Sequence, residues 1–332
     1  MGNSKIVFGD RTLIDLSGDT VAPQDLRVGV TAHNAAGEQI AGQLDPVRLS
    51  LIVSVTSGSV VTATKGATVI SGTAVNGSCT LIVPEAGVWS VKATQNGQTS
   101  DTASVSVKDS YALTLNFIKD NFADNDWSSI IAACHSGSVP STWVVGNSKP
   151  MTIGGKSYQV DIIGKNHDTY TAGGKAPLTF QLHDCYADTK QMNSSPTNSG
   201  GWTSCAMRST HLPAILALMP TEVQNGIREV NKPTSAGNQS ATIDTTADKL
   251  FLLSEIEIFG SVRNSKSGEG TQYDYYKAGN STVKNRNGSA SEWWGRSPYG
   301  SNSVYFCIVA SAGGSGSTGA HGVRSVAFGF CF

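Results

Sequence analysis

Charged side chains are scarce in this chain. They make up 15% of its 332 residues, and 24 basic and 25 acidic side chains leave a net charge of -1. In typical globular domains about a quarter of the residues are charged. Nucleic-acid binding and a solvating acidic tail both need a strong field of one sign, so the composition excludes both classes.

Long apolar runs are missing as well. No segment approaches the ~20 residues of a membrane-spanning helix, so membrane insertion is not expected. The first ten residues contain no apolar stretch long enough for a signal peptide, which predicts synthesis and assembly in a cytoplasm. The hydrophobic fraction of 39% is nevertheless sufficient for packed cores, and it excludes wholesale disorder.

The six cysteines form no C-x-x-C pair. Zinc sites and redox-active dithiols usually have such close spacing. Together with the missing signal peptide, the spacing predicts reduced, buried cysteines that act as small apolar residues. Neither a disulfide framework nor a metal site is expected.

Signatures of catalysis are incomplete. Residues 314–319 match G-x-G-x-x-G, but no helical pattern follows that could bind a dinucleotide phosphate. The nearest approach to a reactive cluster is His167-Asp168 and His183-Asp184-Cys185. Neighbouring residues on a strand point to opposite faces, which favours hydrogen-bonded structural histidines over a zinc site or a Cys–His pair. We therefore predict a protein that is not an enzyme and has no cofactor.

Three segments of different composition follow one another along the chain. Residues 1–44 are too few to bury a core unaided, so we expect them to attach to another surface. Asp45-Pro46 marks a boundary, because proline restricts itself and its predecessor. Residues 45–108 alternate apolar and polar side chains, and residues 109–332 are rich in Trp, Tyr, His, Asn and Gly.

Residues 45–108 are predicted to form a small β-sandwich. The run from Leu49 to Val55 alternates with a period of two, and later runs repeat this pattern. Asn76-Gly77 and Asn96-Gly97 are typical of tight hairpin turns, which need positive φ at both central positions. Residues 84–97 resemble the immunoglobulin-like or prealbumin-like spacer modules of surface and phage-tail proteins, which implies a stalk without chemistry.

Residues 109–332 are predicted to form an α+β domain. A helix is expected to begin after Asp126 and to end at Gly137, and a second helix to cover residues 221–230. The stretch 249–260 is predicted to be a strand. Two further strands, 304–309 and 325–332, are expected to enclose an irregular Gly/Ser-rich loop.

The most specific run in the sequence lies near its end. Trp293 and Trp294 are large apolar anchors, and Arg296 is expected to lie against them or to pair with a buried carboxylate. A rigid frame that holds an irregular surface of small residues is typical of a recognition site.

This run, from Ser291 to Phe332, resembles the variable proteins of diversity-generating retroelements. Their C-terminal domain has a C-type-lectin-like fold related to the formylglycine-generating enzyme. Residues 127–131, 150–164, 177–185 and 273–279 are similar to the phage and prophage branch of that family, and residues 29–42 to segments of phage tail proteins. The resemblance implies a multidomain chain with an attachment segment (1–44), an immunoglobulin-like β-sandwich (45–108) and an α+β C-type-lectin-like ligand-binding domain (109–332).

In that family, mutagenic reverse transcription changes template adenines, mostly in Asn codons, which cannot become Lys, Glu, Gln, Met or Trp codons. None of these five residue types occurs from Ser297 to Phe332. The family pattern implies diversified, ligand-binding positions at Tyr299, Ser301, Val304, Tyr305, Ile308, Ala310, Ala312, Gly314, Ser317, Thr318, His321 and Arg324. It implies invariant scaffold at Phe306, Cys307, Val309, Val326 and Phe328, to which the anchors Trp293, Trp294 and Arg296 are added.

Three features bear on this interpretation. Strict alternation from Val304 to Ala310 sends Tyr305 and Ile308 to opposite faces, so a bulge or strand end near Phe306-Cys307 is needed to make both variable. The calcium-dependent lectin motifs Glu-Pro-Asn and Trp-Asn-Asp are missing, so sugar binding through calcium is not implied. The oxidase relatives use two neighbouring cysteines near the C-terminus, whereas Cys307 and Cys331 are far apart in sequence.

The resemblance implies a receptor-binding adhesin of a phage or prophage tail, made in the bacterial cytoplasm and located in the virion. Its partners would be a host cell-surface receptor, protein or polysaccharide, and other tail proteins bound through residues 1–44. A homo-oligomer is expected by analogy with tail tips, which are often trimeric. Two alternatives stay open: a structural virion decoration protein, and a formylglycine-generating-type enzyme.

Overall fold

Strands dominate the chain. The computed structural model describes residues 4–43, 49–100, 102–115 and 117–332. It divides the chain into two units, Met1–Phe117 and Ile118–Phe332. The longest helix in the described ranges has 10 residues, and none there is long and apolar enough to cross a bilayer.

The first 40 described residues form two small hairpins. The strands are β1 (Lys5–Phe8), β2 (Arg11–Asp15), β3 (Thr31–His33) and β4 (Gln39–Ala41), paired β1 with β2 and β3 with β4. No residue from 4 to 43 is buried. A two-stranded hairpin without buried side chains is marginal in water. The expectation that this segment cannot bury a core of its own is therefore confirmed.

The rest of the first unit contains two sheets that share one apolar core. Its strands are β5 (Ser50–Ser54), β6 (Val60–Lys65), β7 (Thr68–Thr73), β8 (Ser78–Ile82), β9 (Gly87–Gln95), β10 (Gln98–Thr99), β11 (Ala103–Val107) and β12 (Ser110–Thr114). One sheet has the order β12-β5-β8; the other is β10-β9-β6-β7, with β11 also paired to β9. Alternate residues such as Leu51, Val53 and Trp89 point into the common core.

The tight turns of this unit are where the sequence predicts them. Asn76, Gly77, Asn96 and Gly97 all have positive φ, between 51° and 82°. Asn and Gly tolerate this left-handed backbone, and the mirror-image turns it creates match the twist of the flanking strands. The second of these turns joins Gln95 to Gln98 across β9 and β10.

The boundaries of the units differ from those expected. β12 lies beyond residue 108 but pairs in parallel with β5, so the first unit extends to Phe117. Parallel pairing of strands distant in sequence has no local signal, which is why the period-two pattern alone did not include it. The expected boundary at Asp45-Pro46 falls in residues 44–48, outside the described residues.

The second unit combines short helices with scattered strands. Its helices are α1 (Trp127–Ser136), α2 (Gly201–Ser204), α3 (Leu212–Leu216), α4 (Thr221–Gly226), α5 (Glu255–Phe259) and α6 (Asp274–Lys277), with a 3-10 turn at Phe122–Asp124 and a π-turn at Met207–His211. The first unit has a 3-10 turn at Pro23–Asp25. The strands of the second unit are β13 (Ser148–Ile153), β14 (Lys156–Lys165), β15 (Leu178–Leu182), β16 (Val230–Ser235), β17 (Ile243–Asp248), β18 (Leu250–Phe251), β19 (Lys284–Arg286), β20 (Ser289–Ser291), β21 (Trp293–Pro298), β22 (Tyr305–Val309), β23 (Ser315–Gly319) and β24 (Gly329–Cys331).

Two sheets organise this unit. The larger has the order β13-β14-β15-β24-β18, so the last strand of the chain lies between β15 and β18. The smaller is β21-β22-β23, and two-stranded pairs are formed by β16 with β17 and by β19 with β20. A single apolar core joins both sheets and the helices.

The first predicted helix is confirmed. α1 begins after Asp126 and ends at Gly137, whose φ of 69° is the left-handed conformation that glycine adopts at a helix C-terminus. Its buried residues include Trp127, Ile130 and Cys134.

Three other predictions of secondary structure are wrong. The second helix ends at Gly226, because Val230 already begins β16, which contains Pro233. The stretch 249–260 forms only the short strand β18 before α5, where Ser254 and Glu257 cap each other. That capping box outweighs the local alternation of Glu255–Phe259. The Gly/Ser-rich loop contains a regular strand, β23.

Candidate functional site

The sheet β21-β22-β23 holds most of the predicted site. Every residue of β21 and four of the five residues of β22 are buried, so these two strands are covered on both faces. β23 is the edge strand, and all five of its residues are half-buried. The sheet therefore offers a rigid interior and one accessible edge.

The predicted scaffold residues belong to that interior. Trp293, Trp294, Arg296, Phe306, Cys307 and Phe328 are each at most 2% exposed. The indole N–H groups of Trp293 and Trp294 donate to the carbonyls of Thr282 and Lys190, at 3.0 and 2.8 Å. Both rings are thus fixed by packing and by a hydrogen bond.

Eleven of the twelve predicted ligand-binding residues are accessible. Ser301, Tyr305, Ala312, Gly314 and His321 are exposed, and Tyr299, Val304, Ala310, Ser317, Thr318 and Arg324 are half-buried. They lie on β23, at both ends of β22 and in the segments that join these strands to their neighbours.

Ile308 is the exception, because its side chain is only 5% exposed. It is paired with Trp294 on one side and with Gly316 on the other. A Cβ on Gly316 would lie 3.3 Å from the Ile308 Cγ1, so the isoleucine packs over the glycine. The four consecutive residues from Phe306 to Val309 are all buried, so both faces of β22 are covered and the assignment of Ile308 to an accessible face is wrong.

The irregularity expected in β22 occurs in its neighbour. β22 pairs with β23 in continuous register from Tyr305 to Val309. The register shifts instead between Trp294 and Pro298 of β21. Tyr305 is exposed because it begins the strand, so strand-end position explains its exposure without a bulge.

Two tyrosine rings pack together at one end of this edge, and a histidine lies close by. Tyr299 and Tyr305 pack edge to face, with ring centroids 6.3 Å apart. A Cβ on Gly319 would lie 3.0 Å from the His321 Cε1 and 3.8 Å from the Tyr305 Cε1. Gly319 therefore lies between the Tyr305 and His321 rings, and a side chain there would crowd His321. We call Tyr299, Tyr305 and His321 the aromatic group.

The other end of the edge is the turn between β22 and β23. The Ala310 N–H donates to the Gly314 carbonyl at 2.7 Å, and the Gly313 N–H donates back to the Ala310 carbonyl. The Thr282 hydroxyl donates to the Gly313 carbonyl at 2.7 Å. Five residues of strand separate this turn from the aromatic group, which corresponds to about 17 Å.

Arg324 closes one flank of the edge. Its Nε donates to the Glu292 carboxylate at 2.6 Å and its Nη2 to the Thr318 hydroxyl at 3.2 Å. The two charged side chains are 31% and 40% exposed, so this ion pair is screened by solvent. Arg286 lines the same groove beside this ion pair.

A cluster of buried charges lies beside the sheet. Of its members, only the arginine is predicted from the sequence to form an ion pair. Arg296 forms a two-pronged ion pair with Glu257, with one contact of 2.9 Å. The Lys232 ammonium donates to Asp168, Glu257 and the Tyr273 hydroxyl at 2.7, 2.9 and 2.9 Å. The pairing of Arg296 with a buried carboxylate, one of two expected options, is thereby confirmed.

The charges of this cluster are held in place by one another. Burial alone would raise the pKa of Asp168, but the Lys232 ammonium outweighs it and lowers that pKa to about 2. The pKa of Glu257 is also lowered, because Arg296 and Lys232 outweigh the effect of burial. The three donors of the Lys232 ammonium are all used within this network, which rigidifies the frame.

The histidine–aspartate dipeptides do not form joint sites. The His183 Nδ1 lies 2.7 Å from the buried Asp161, whereas Asp184 accepts from the Asn285 N–H at 2.7 Å. His167 stacks on Tyr273, with ring centroids 4.0 Å apart. His183 thus has the hydrogen-bonded structural partner that was expected, whereas the His167 ring is held by stacking. None of the four residues of these dipeptides lies on a strand, so strand alternation is not the reason for their separation.

The cysteines are poor nucleophiles in this fold. All six are free and buried, as the spacing predicts. Burial raises the pKa of Cys307 and of Cys331 well above its usual range, which disfavours a thiolate. In the part of the chain that the structure describes, no group of three or more His, Cys, Asp and Glu side chains is placed to hold a metal ion.

Comparison with protein-family models gives one match. Residues 178–328 are similar to DUF6273, a domain of unknown function. The matched range is less than half of the chain, and it includes β15, the buried charge cluster apart from Asp168, and the whole of the β21-β22-β23 sheet. Neither the curated proteins nor the solved structures give a significant match.

Proposed function

We propose that this protein is a receptor-binding adhesin of a phage or prophage tail, with a diversified ligand-binding face along β23. The observation that carries the proposal is the separation of two sets of positions. The positions implied to vary are accessible, apart from Ile308, whereas those implied to be invariant are buried. Such a division is what a protein needs when its binding face changes and its fold does not.

Backbone contacts make this face tolerant of substitution. β23 is held to β22 through main-chain hydrogen bonds, which do not depend on the side chains of Ser317 or Thr318. The Ala320 carbonyl likewise accepts from the N–H groups of Met192 and Asn193, at 2.9 and 3.0 Å. New side chains on this edge would therefore alter what it binds more than whether it folds.

The remaining parts of the chain have matching roles in the proposal. The second unit is a C-type-lectin-like domain that displays the face. The strands from β5 to β12 form an immunoglobulin-like spacer. The exposed hairpins of residues 4–43 attach the protein to other tail components, which would cover the apolar side chains of Ile6, Val7 and Phe8.

The test is to sequence the gene in many clones of one bacterial or phage population. Codons for the accessible positions should differ between clones, with substitutions that derive from adenine changes. A reverse transcriptase gene and an imperfect repeat of the 3′ end should lie nearby. The codons for Trp293, Trp294 and Phe306 lie in or beside the same repeat and are the internal control, because they should stay constant.

Variation spread evenly over exposed residues of both units would contradict the proposal. So would a constant 3′ end without a repeat, which would favour a structural decoration protein. The formylglycine-generating-type alternative receives no support from the cysteines, since Cys307 and Cys331 are buried on separate strands.

A further inference from the structure

The proposed binding face is almost free of formal charge. The 24 residues from Tyr299 to Gly322 contain no Lys, Arg, Asp or Glu. On the flank, Arg324 pairs with Glu292 at 2.6 Å, and Arg286 lines the same groove. In the bordering loop the Arg263 guanidinium lies over the Phe259 ring, 4.7 Å from its centroid. Anionic polymers and charged protein surfaces are usually recognised by opposed charges, and this face offers few.

What the face does offer is aromatic rings beside hydroxyl groups. Tyr305 is 40% exposed and packs edge to face with Tyr299, and His321 lies next to it across Gly319. Tyrosine combines a flat apolar surface with a hydroxyl at low entropic cost. Sugar rings present flat C–H faces and hydroxyl edges, so they complement this combination.

The size of the face also favours a small ligand unit. A stable protein–protein interface usually buries about 800 Å² and about 20–30 residues on each side. The accessible positions here number eleven, on an edge about 17 Å long. One or two sugar rings fit that span, and a repetitive polysaccharide would gain strength from several copies binding at once.

We infer that the face binds an uncharged glycan of the host surface, by stacking on the aromatic group and hydrogen bonding to the neighbouring hydroxyls, without a metal ion. This inference rests on the proposed function, since it concerns the same face. It adds the chemical class of the receptor, and it can fail while the adhesin proposal stands.

The experiment measures attachment of the fluorescently labelled full chain to bacterial cells. A panel of isolates is screened, and the isolate with the strongest attachment is divided into untreated, protease-digested and mildly periodate-oxidised cells. Periodate cleaves the vicinal diols of sugars and leaves most protein surfaces able to bind. Attachment is also compared at about 50 and 500 mM NaCl, because charge-dependent binding weakens steeply with salt.

We expect attachment to survive protease, to be lost after periodate and to change less than about twofold with salt. Tyr305→Ala should weaken it more than about tenfold, whereas Tyr305→Phe, which keeps the ring, should stay within about threefold. Val144→Ala, an exposed apolar residue elsewhere in the second unit, is the matched control and should bind like the wild type. Thermal melting of each variant verifies that it is folded.

The possible failures are distinguishable. Loss of attachment after protease, survival after periodate, or a tenfold weakening in high salt would each overturn the glycan inference and indicate a protein or charged receptor. If the double variant Tyr305→Ala/His321→Ala attaches to untreated cells like the wild type, or if no isolate is bound, the adhesin proposal itself fails.

Discussion

Glu269 should make the stability of the second unit depend on pH near neutrality. Its carboxylate is buried, accepts from the Ser235 N–H at 2.8 Å and contacts the Ser297 hydroxyl. Burial raises the pKa of this carboxyl to about 7, because desolvation disfavours the ionised form. In the unfolded chain the same group should ionise near its ordinary pKa of 4.5.

The sign of the effect follows from these two values. Between pH 4.5 and 7 the folded state keeps a proton that the unfolded state releases, so the free energy of unfolding falls as the pH rises. The contribution is fully present below pH 4.5 and is lost as the pH passes 7. At ~1.4 kcal/mol per pKa unit, the difference amounts to ~3 kcal/mol.

Glu269→Gln tests this reasoning, because the amide is similar in shape and cannot ionise. Urea unfolding of the full chain would be followed at pH 5, 6, 7 and 8 by tryptophan fluorescence, since five of the six tryptophans lie in the second unit. The variant should lose the part of the downward slope that Glu269 causes. The exposed Glu229→Gln is the matched control and should keep it.

Every other titratable group is common to both proteins, so the difference between the two curves isolates Glu269. Parallel curves for Glu269→Gln and the wild type would refute the reasoning. They would mean that the carboxyl ionises at the same pH in the folded and unfolded chains.

Two further predictions concern the frame of the proposed face. Ile308→Ala should lower the free energy of unfolding by about 2–5 kcal/mol, because it leaves a cavity against Gly316. Tyr305→Ala, at the exposed strand end, should lower it by under about 1 kcal/mol. Equal urea midpoints for the two variants would contradict the burial of Ile308. Lys232→Met should cost about 3–5 kcal/mol in the same assay, because it leaves Asp168 and Glu257 buried without that cation. Lys156→Met, at an exposed lysine, should change stability little, and equal losses for the two lysine variants would show that the cluster does not depend on Lys232.

The sequence predictions that agree with the structure depend on patterns among residues close together in the chain. Asp126 and Gly137 mark the two ends of α1, and the Asn-Gly turns have positive φ. The alternating residues 49–55 contain the strand β5. Each of these features depends on a few neighbouring residues whose conformational preferences all favour the same local structure. The burial of the tryptophan anchors is equally local, because large apolar side chains are rarely left in water.

The features that the sequence analysis missed depend on residues far apart in the chain. Asp168, Lys232, Glu257 and Arg296 come from four separate stretches, and no spacing rule connects them. Whether Ile308 is buried depends on what packs against β22, which includes Gly316 of the neighbouring strand β23. That strand consists of Ser, Gly and Thr and has no apolar alternation to reveal it.

The composition of β23 has a physical consequence for the proposed face. A strand of small polar residues contributes little to the core, so its place in the sheet depends on main-chain pairing with β22 and on contacts at its ends. Asn198 fixes the start of β22, the strand with which β23 pairs, because its side-chain amide donates to the carbonyls of Asn302 and Tyr305, both at 2.7 Å. These acceptors are present whatever side chain the position carries.

Arg324 and Thr318 differ from the other accessible positions, because the Arg324 guanidinium donates both to the Thr318 hydroxyl and to the Glu292 carboxylate. Replacing Arg324 would break an ion pair that is about one-third exposed, and such pairs contribute at most ~1 kcal/mol. That loss is small beside the several kcal/mol that a buried tryptophan contributes. The Arg324 position can therefore change at modest cost, while the stability of the domain depends on the buried anchors and on the charge cluster beside them.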